Sequence, residues 1–189
     1  MLEKLRPERK SALLFGELAP VITVGRRQLQ DVSERSRLEA LGIDLVSGER
    51  GGNETWHGPG QWVGFVLTPL LDFTGDKMGV RKAVYLILKN TLEVVRFYQP
   101  EARLKEGAEL GIWSEHGKLV SVGIKISQGY VTSGFAINCI PSDAAFMGIF
   151  PCGIRDARPD FILGTLPHMR RHEEFMKIPG LIQKVFSKE

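Results

Sequence analysis

Residues 110–140, LGIWSEHGKLVSVGIKISQGYVTSGFAINCI, alternate apolar with polar side chains and break at His116-Gly117 and Gln128-Gly129. A period of two sends successive side chains to opposite faces of a sheet, and Gly-containing pairs between such runs are hairpin turns. The stretch therefore reads as an antiparallel meander, and any fold for this chain must supply a core for its apolar face. SALLF and PVITVG near the start, and GIDLVSG and QWVGFVLTPL further on, read as additional strands.

Helices fall between these strands. DVSERSRLEALG offers Asp31 or Ser33 as an N-cap and Gly42 as a stop. Residues 79–98 carry Ala83, Leu86, Ile87, Thr91, Val94 and Val95 at helical spacing. SDAAFMGIF predicts a short helix capped by Ser142 or Asp143, and a last helix begins near Leu166, with Pro179-Gly180 expected to interrupt it. The pattern predicts an α+β fold in which a largely antiparallel sheet is flanked by helices. At 189 residues, a single domain spanning 1–189 is expected.

Composition excludes several classes. No apolar run approaches the roughly 20 residues of a membrane span, and MLEKLRPERK has no apolar core of a secretory signal. Two cysteines give no disulfide framework, so a cytoplasmic setting is expected. The net charge of +3 (25 basic minus 22 acidic residues) is too small to indicate nucleic acid. The basic clusters at 6–10, 25–28 and 169–174 read as solvated faces that could favour an acidic protein partner.

Residues 49–61, ERGGNETWHGPGQ, hold four glycines and a proline around one arginine and one histidine. A plain turn needs one or two such residues. This density, between two strands, describes a surface shaped for close approach of backbone to a ligand.

Two cysteines and two lysines are candidates for chemistry. Cys139, in the alternating FAINCI, reads as a small buried hydrophobe. Cys152, between Pro151 and Gly153, sits on constrained backbone, where a nearby positive charge would make it a nucleophilic thiolate. Lys118 opens a strand after the His116-Gly117 turn, and Lys125 lies seven positions on, inside the same strand and facing the other way. His168 and His172 share a helical face, but no HExxH and no cysteine pair accompanies them, so no metal site is expected. Neither G-x-x-x-x-G-K-[ST] nor G-x-G-x-x-G occurs.

Together these elements resemble the octanoyltransferases of lipoate synthesis. The family hallmark R-G-G-x-x-T-[YW]-H-G-P-G-Q matches residues 50–61 throughout. Gly117-Lys118 followed by Leu119, Val120, Ser121, Val122 and Gly123, then GFAIN at 134–138 and PCG at 151–153, follow in family order, with Gly25-Arg26 upstream. Lys118 and Cys152 stand 34 positions apart, as the family spacing requires.

The resemblance implies the fold of biotin and lipoate protein ligases and a ping-pong acyl transfer. Cys152 would take the acyl group from octanoyl-acyl carrier protein as a thioester. A lysine of a lipoyl domain, in 2-oxoacid dehydrogenase E2 subunits or glycine cleavage H protein, would then receive it as an amide. Lys118 would lower the thiol pKa and act as acid and base. Substrate-binding positions would be Arg50, Gly51, Gly52, Asn53, Glu54, Thr55, Trp56 and His57, with Ser121, Val122, Gly123, Gly134, Phe135 and Ala136 as further walls. His57 would orient either the thioester carbonyl or the incoming amine, and oxyanion donors would lie near Gly123 or Cys152. Arg26, Arg27, Arg155 or Arg158 would steer docking of acidic carriers.

A monomer with no cofactor, no metal, no nucleic acid and no membrane is implied. Ser133 and Leu18 stand where the family usually has histidines, and the RPDFILGTLPH tail lacks the usual threonine-serine ending. These departures bear on acyl length, donor and acceptor. They leave transfer between two lipoyl domains, or a non-catalytic lipoyl-domain-binding homologue, as alternatives.

Overall fold

A computed structural model describes residues 10–25, 32–48, 50, 53–132, 134–142, 145–146, 148–149 and 157–187. The strands, in chain order, are β1 Ala12–Gly16, β2 Val21–Val24, β3 Asp44–Ser47, β4 Thr55–His57, β5 Gln61–Pro69, β6 Arg103–Lys105, β7 Gly111–Trp113, β8 Lys118–Gly123, β9 Ile126–Ser127, β10 Tyr130–Val131 and β11 Gly134–Asn138. The helices are α1 Val32–Glu39, α2 Leu70–Thr74, α3 Val80–Tyr98 and α4 His168–Phe186.

Eight strands form one antiparallel sheet in the order β6-β7-β8-β11-β5-β10-β9, with β1 also paired to β5. The nine-residue β5 organises it. Residues 61–65 pair with β11, Thr68 and Pro69 pair with β10, and residues 63–67 pair with β1. A second sheet, β3-β2-β4, joins a parallel pair to an antiparallel one. The mostly antiparallel α+β expectation is met. The meander is not continuous, however. After β8 the chain makes a two-residue hairpin, β9-β10, turning at Gln128 (φ 49°) and Gly129 (φ 79°). That hairpin pairs with the end of β5, so β8 takes β11 as its neighbour.

α3 and α4 pack together against the large sheet. Ala83, Ile87, Leu88, Val94 and Val95 of α3 meet Phe175, Ile178, Ile182 and Val185 of α4, with Ile112, Leu119, Val120 and Ile137 from the sheet. Leu88 takes the fully buried position, and Leu86 is only half-buried. Cys139 is fully buried in this core, as its alternating context predicts. A smaller core, built from Ile22, Val24, Leu38, Trp56, Phe146 and Ile149, joins the second sheet to α1 and to Phe146 and Ile149.

Two helix expectations are corrected. Among the described residues of this stretch, 142, 145–146 and 148–149, the backbone turns, with Ala145 N–H bonding the Ser142 carbonyl and Ile149 N–H the Phe146 carbonyl. Phe146 (φ 60°) and Gly148 (φ 69°) are left-handed, which an α-helix cannot accommodate. Conversely, Pro179 lies inside an uninterrupted α4. A proline has no N–H for the carbonyl four residues back, here that of Phe175. The indole N–H of Trp62 supplies the missing bond, donating to the Phe175 carbonyl at 2.8 Å, while the Trp62 and Phe175 rings stack at 4.6 Å. The tertiary contact replaces the lost helical one, and the helix continues.

Candidate active site

The residues between β3 and β5 are not one long loop, because Thr55, Trp56 and His57 form β4 and pair with β2. This strand turns the hallmark's side chains alternately inward and outward. Trp56 goes into the small core, 1% exposed and 5.6 Å from the Phe146 ring. Thr55 and His57 face a cavity of about 600 Å³, within the usual size for a small-molecule site.

The cavity lies between the two sheets. Thr23, Arg50, Asn53, Glu54, Thr55 and His57 line it from the second sheet and its loop. The large sheet contributes Val63 and Phe65, then Ser121, Val122 and Gly123, and also Gly134, Phe135 and Ala136. Every described residue of the sequence-derived binding set is therefore on its wall except Trp56. Gly51, Gly52 and Cys152 lie outside the described residues, as do Ser133, Arg26, Arg27 and Arg155, and the helix-cap candidates Asp31 and Asp143. Arg158 is described and exposed. Leu18 also lines the cavity, so this departure from the family pattern presents an apolar side chain there.

Lys118 opens β8 and is 3% exposed. Its ammonium donates to the Leu110 carbonyl at 3.0 Å and lies 5.5 Å from the centre of the Trp113 ring, an attractive cation–π placement. The side chain crosses over Gly111, whose φ of 148° suits only glycine. A Cβ there would sit 2.6 Å from Lys118 Cε and 2.5 Å from the Val120 carbonyl oxygen. The Lys118 main chain is clamped from the other side. Its N–H donates to the Arg158 carbonyl (2.8 Å), and its carbonyl accepts from Asp160 N–H and Asn138 Nδ2, both at 2.9 Å.

Lys125 lines the same cavity. The opposite facing expected for it assumed one regular strand from 118 to 125. β8 instead ends at Gly123, and Lys125 sits in the bend before β9.

A chain of polar groups runs from half-buried Arg50 and Thr23 on the cavity wall into the protein. Arg50 donates to Thr23 Oγ1 at 2.7 Å, and Thr23 Oγ1 lies 3.2 Å from His57 Nε2. His57 Nδ1 lies 2.6 Å from Gln61 Oε1, Gln61 Nε2 donates to Asn138 Oδ1 at 2.8 Å, and Asn138 Nδ2 reaches the Lys118 carbonyl. His57 is 8% exposed. Burial lowers its pKa, the Gln61 bond opposes that shift, and the Arg50 charge adds to it. Burial likewise lowers the Arg50 pKa, against the pull of Glu54. Glu54 is itself buried and paired with Arg37 of α1 at 3.2 Å, while Arg37 also donates to the Gly148 carbonyl at 2.6 Å. Cys139, by contrast, has its thiol pushed well up by burial, which makes it inert as a nucleophile.

Gln61 and Asn138 lay inside the motifs quoted from the sequence but carried no role there. Thr23 had no motif, and its only signal is a hydroxyl in the otherwise apolar VITV strand. Among the described residues no group of three or more His, Cys, Asp or Glu could hold a metal ion, and no helix is long and apolar enough to cross a membrane.

This fold has counterparts in known proteins. The model of the lipoyl protein ligase A/B catalytic domain matches residues 1–178, and the chain belongs to that family. An octanoyltransferase of Caldicellulosiruptor bescii is 31% identical over 97% of this chain and 82% of its own length. A mitochondrial octanoyltransferase of Arabidopsis thaliana is 32% identical over 82% of this chain and 67% of its own length. The chain is thus an enzyme of the acyltransferase class. Among solved structures, P. falciparum LipL1 in complex with lipoate superposes with a TM-score of 0.62 at 15% identity, over 95% of this chain and 47% of that one. Lipoate-protein ligase A bound with ATP gives 0.58 at 16% identity, covering 95% and 83%. At that identity the likeness establishes a shared ligase fold and nothing finer.

Proposed function

We propose that this chain, working as one catalytic domain over 1–189, moves an octanoyl group from octanoyl-acyl carrier protein to a lysine of lipoyl domains. Cys152 carries the acyl group as a thioester between the two steps. The observation that carries this reading is the cavity itself. Val63, Phe65, Val122, Phe135 and Leu18 offer walls suited to an alkyl chain, and buried Lys118 opens onto the same space.

In the first step the Cys152 thiolate attacks the donor's thioester carbon, and the carrier thiol leaves with a proton. An exchange of one thioester for another is nearly isoenergetic, so its rate depends on thiolate supply. Lys118 provides a positive charge held rigidly by Leu110 and Gly111. Arg158, six positions after Cys152 in the sequence, binds the Lys118 main chain directly. In the second step a lysine amine attacks the acyl-enzyme, and amide formation draws the sequence forward.

Intact-mass spectrometry after mixing with octanoyl-acyl carrier protein tests this. One octanoyl adduct is expected, labile to hydroxylamine, mapped to Cys152 and absent in Cys152→Ser. An adduct on Cys139, or one that needs ATP, would overturn the assignment.

A further inference from the structure

Two ammonium groups approach the Trp113 ring. Its centroid lies 4.7 Å from Lys105 Nζ and 5.5 Å from Lys118 Nζ. The lysines come from the strands on either side of β7. Lys118 opens β8 opposite Trp113, and Lys105 ends β6 two positions beyond Arg103, the other partner of Trp113. Trp113 is 6% exposed and Lys118 3%. The ring and the inner ammonium therefore meet away from water, where a cation–π attraction is strongest. Lys105 is half-exposed and paired with the Glu109 carboxylate at 2.7 Å.

The ring itself is pinned. Its indole N–H donates to the Glu109 carbonyl at 2.6 Å, and its backbone pairs with strands on both sides. Glu109 thus fixes the ring through its carbonyl and the outer cation through its carboxylate. The next residue, Leu110, gives its carbonyl to the inner ammonium. An aromatic face attracts an ammonium without cancelling its charge, as a carboxylate in that place would. The positive field of Lys118 is left to act on the cavity that it lines.

We propose that Trp113 is the positioning residue for Lys118, holding its ammonium at the cavity wall through the face of the ring, and that the Lys105–Glu109 pair protects this hold by keeping the outer charge neutralised. The consequence for rate rests on the acyl-transfer reading above. Without the ring, the flexible four-carbon stem of Lys118 loses a contact that fixes its ammonium. Without the Glu109 carboxylate, Lys105 competes for the same ring and repels the inner ammonium.

The test titrates the ring without reshaping it. Fluorine draws electron density from an aromatic face, so Trp113 is replaced site-specifically by mono-, di-, tri- and tetrafluorotryptophan, with Trp56 and Trp62 unchanged. Single-turnover acylation by octanoyl-acyl carrier protein is timed by rapid quench and mass spectrometry. The rate should fall stepwise with each fluorine, by about tenfold in all, while the half-saturating carrier concentration stays within about twofold. Urea midpoints of the same proteins should fall in parallel, and a Lys118→Met background should abolish most of that fall. Glu109→Gln should slow acylation about threefold, and adding Lys105→Met should restore it.

A flat rate across the fluorinated series overturns the proposal, as does a change confined to the half-saturating concentration. A stability loss that Lys118→Met leaves intact overturns it too, because the ring would then be holding something else. A Glu109→Gln loss that Lys105→Met fails to restore removes the protecting role of the ion pair. A wild-type protein that never forms an acyl-enzyme would instead sink the acyl-transfer reading and the rate role with it, while the urea series still decides whether the ring holds Lys118.

Discussion

Replacing Trp62 by phenylalanine removes the indole N–H that serves the Phe175 carbonyl. Phe175 is 3% exposed, so the carbonyl would be left in a dry environment, at a cost of about 1–3 kcal/mol. Lost packing against the Phe175 ring, now 4.6 Å away, adds to this. If the bond stands in for the one Pro179 cannot make, the cost must depend on Pro179. In Pro179→Ala the alanine N–H can reach the Phe175 carbonyl, so Trp62→Phe should then cost only its packing part.

The two substitutions should therefore couple by about 1–2 kcal/mol, a difference of several degrees in melting temperature for a chain of this size. Pro179→Ala alone should stabilise by less than the roughly 3 kcal/mol that a helix-interior proline costs, because Trp62 already recovers part of it. Urea denaturation of the wild type, both single variants and the double variant measures the cycle. Additive free energies would refute the compensation and require another reason for the unbroken α4.

Three further outcomes are expected. Lys118→Ala should move the midpoint of iodoacetamide alkylation of Cys152 upward toward about 8.5, the unperturbed thiol value, and an unchanged profile would mean the activating charge lies elsewhere. Lys125→Ala is the informative partner, since Lys125 shares the cavity; a comparable shift would mean that both ammonium groups act on the thiol. Gly111→Ala should destabilise the fold by about 1–3 kcal/mol, because its Cβ has neither room beside Lys118 Cε nor an allowed φ, and an unchanged urea midpoint would refute this. His57 should make the fold acid-sensitive: its folded pKa is lowered by burial, so the unfolded chain binds a proton, near the reference 6.5, that the folded chain does not. Its contribution is present above about pH 6.5 and is lost as pH falls from there toward the lowered folded value, with a slope of up to about 1.4 kcal/mol per unit. His57→Gln should flatten that slope, and equal pH dependence in the two proteins would refute it.

The elements read most accurately from sequence were those whose signal is local and repeated. The strands at 12–16, 21–24, 44–47 and 61–69 and the long helix at 80–98 carry their period in their own residues. The corrections arose where a distant group decided. Nothing near Pro179 announces that Trp62, 117 positions earlier, repairs the helix. Likewise SDAAFMGIF has helical composition, yet its Phe146 is drawn into the small core beside Trp56 at a left-handed φ. The expected facing of Lys125 failed for a related reason, since counting positions along a strand says nothing about where the strand ends.

The candidate site divides the same way. Arg50, His57, Lys118 and the Ser121–Gly123 and Gly134–Ala136 walls stand in motifs dense enough to be read as strings, and the fold gathers them around one space. What the strings do not carry is connectivity. Gln61 and Asn138 are 77 positions apart and became partners only because β5 and β11 pair in the register Gln61↔Asn138. That same pairing sets the Asn138 amide against the Lys118 carbonyl, one strand further over. A one-residue slip between β5 and β11 would turn every side chain of β11 to the opposite face. It would disconnect His57 from the Lys118 strand while leaving each motif intact. The hallmark's glutamine and the asparagine of GFAIN therefore act as a register key, and their bond explains how two motifs far apart in the chain come to serve one cavity.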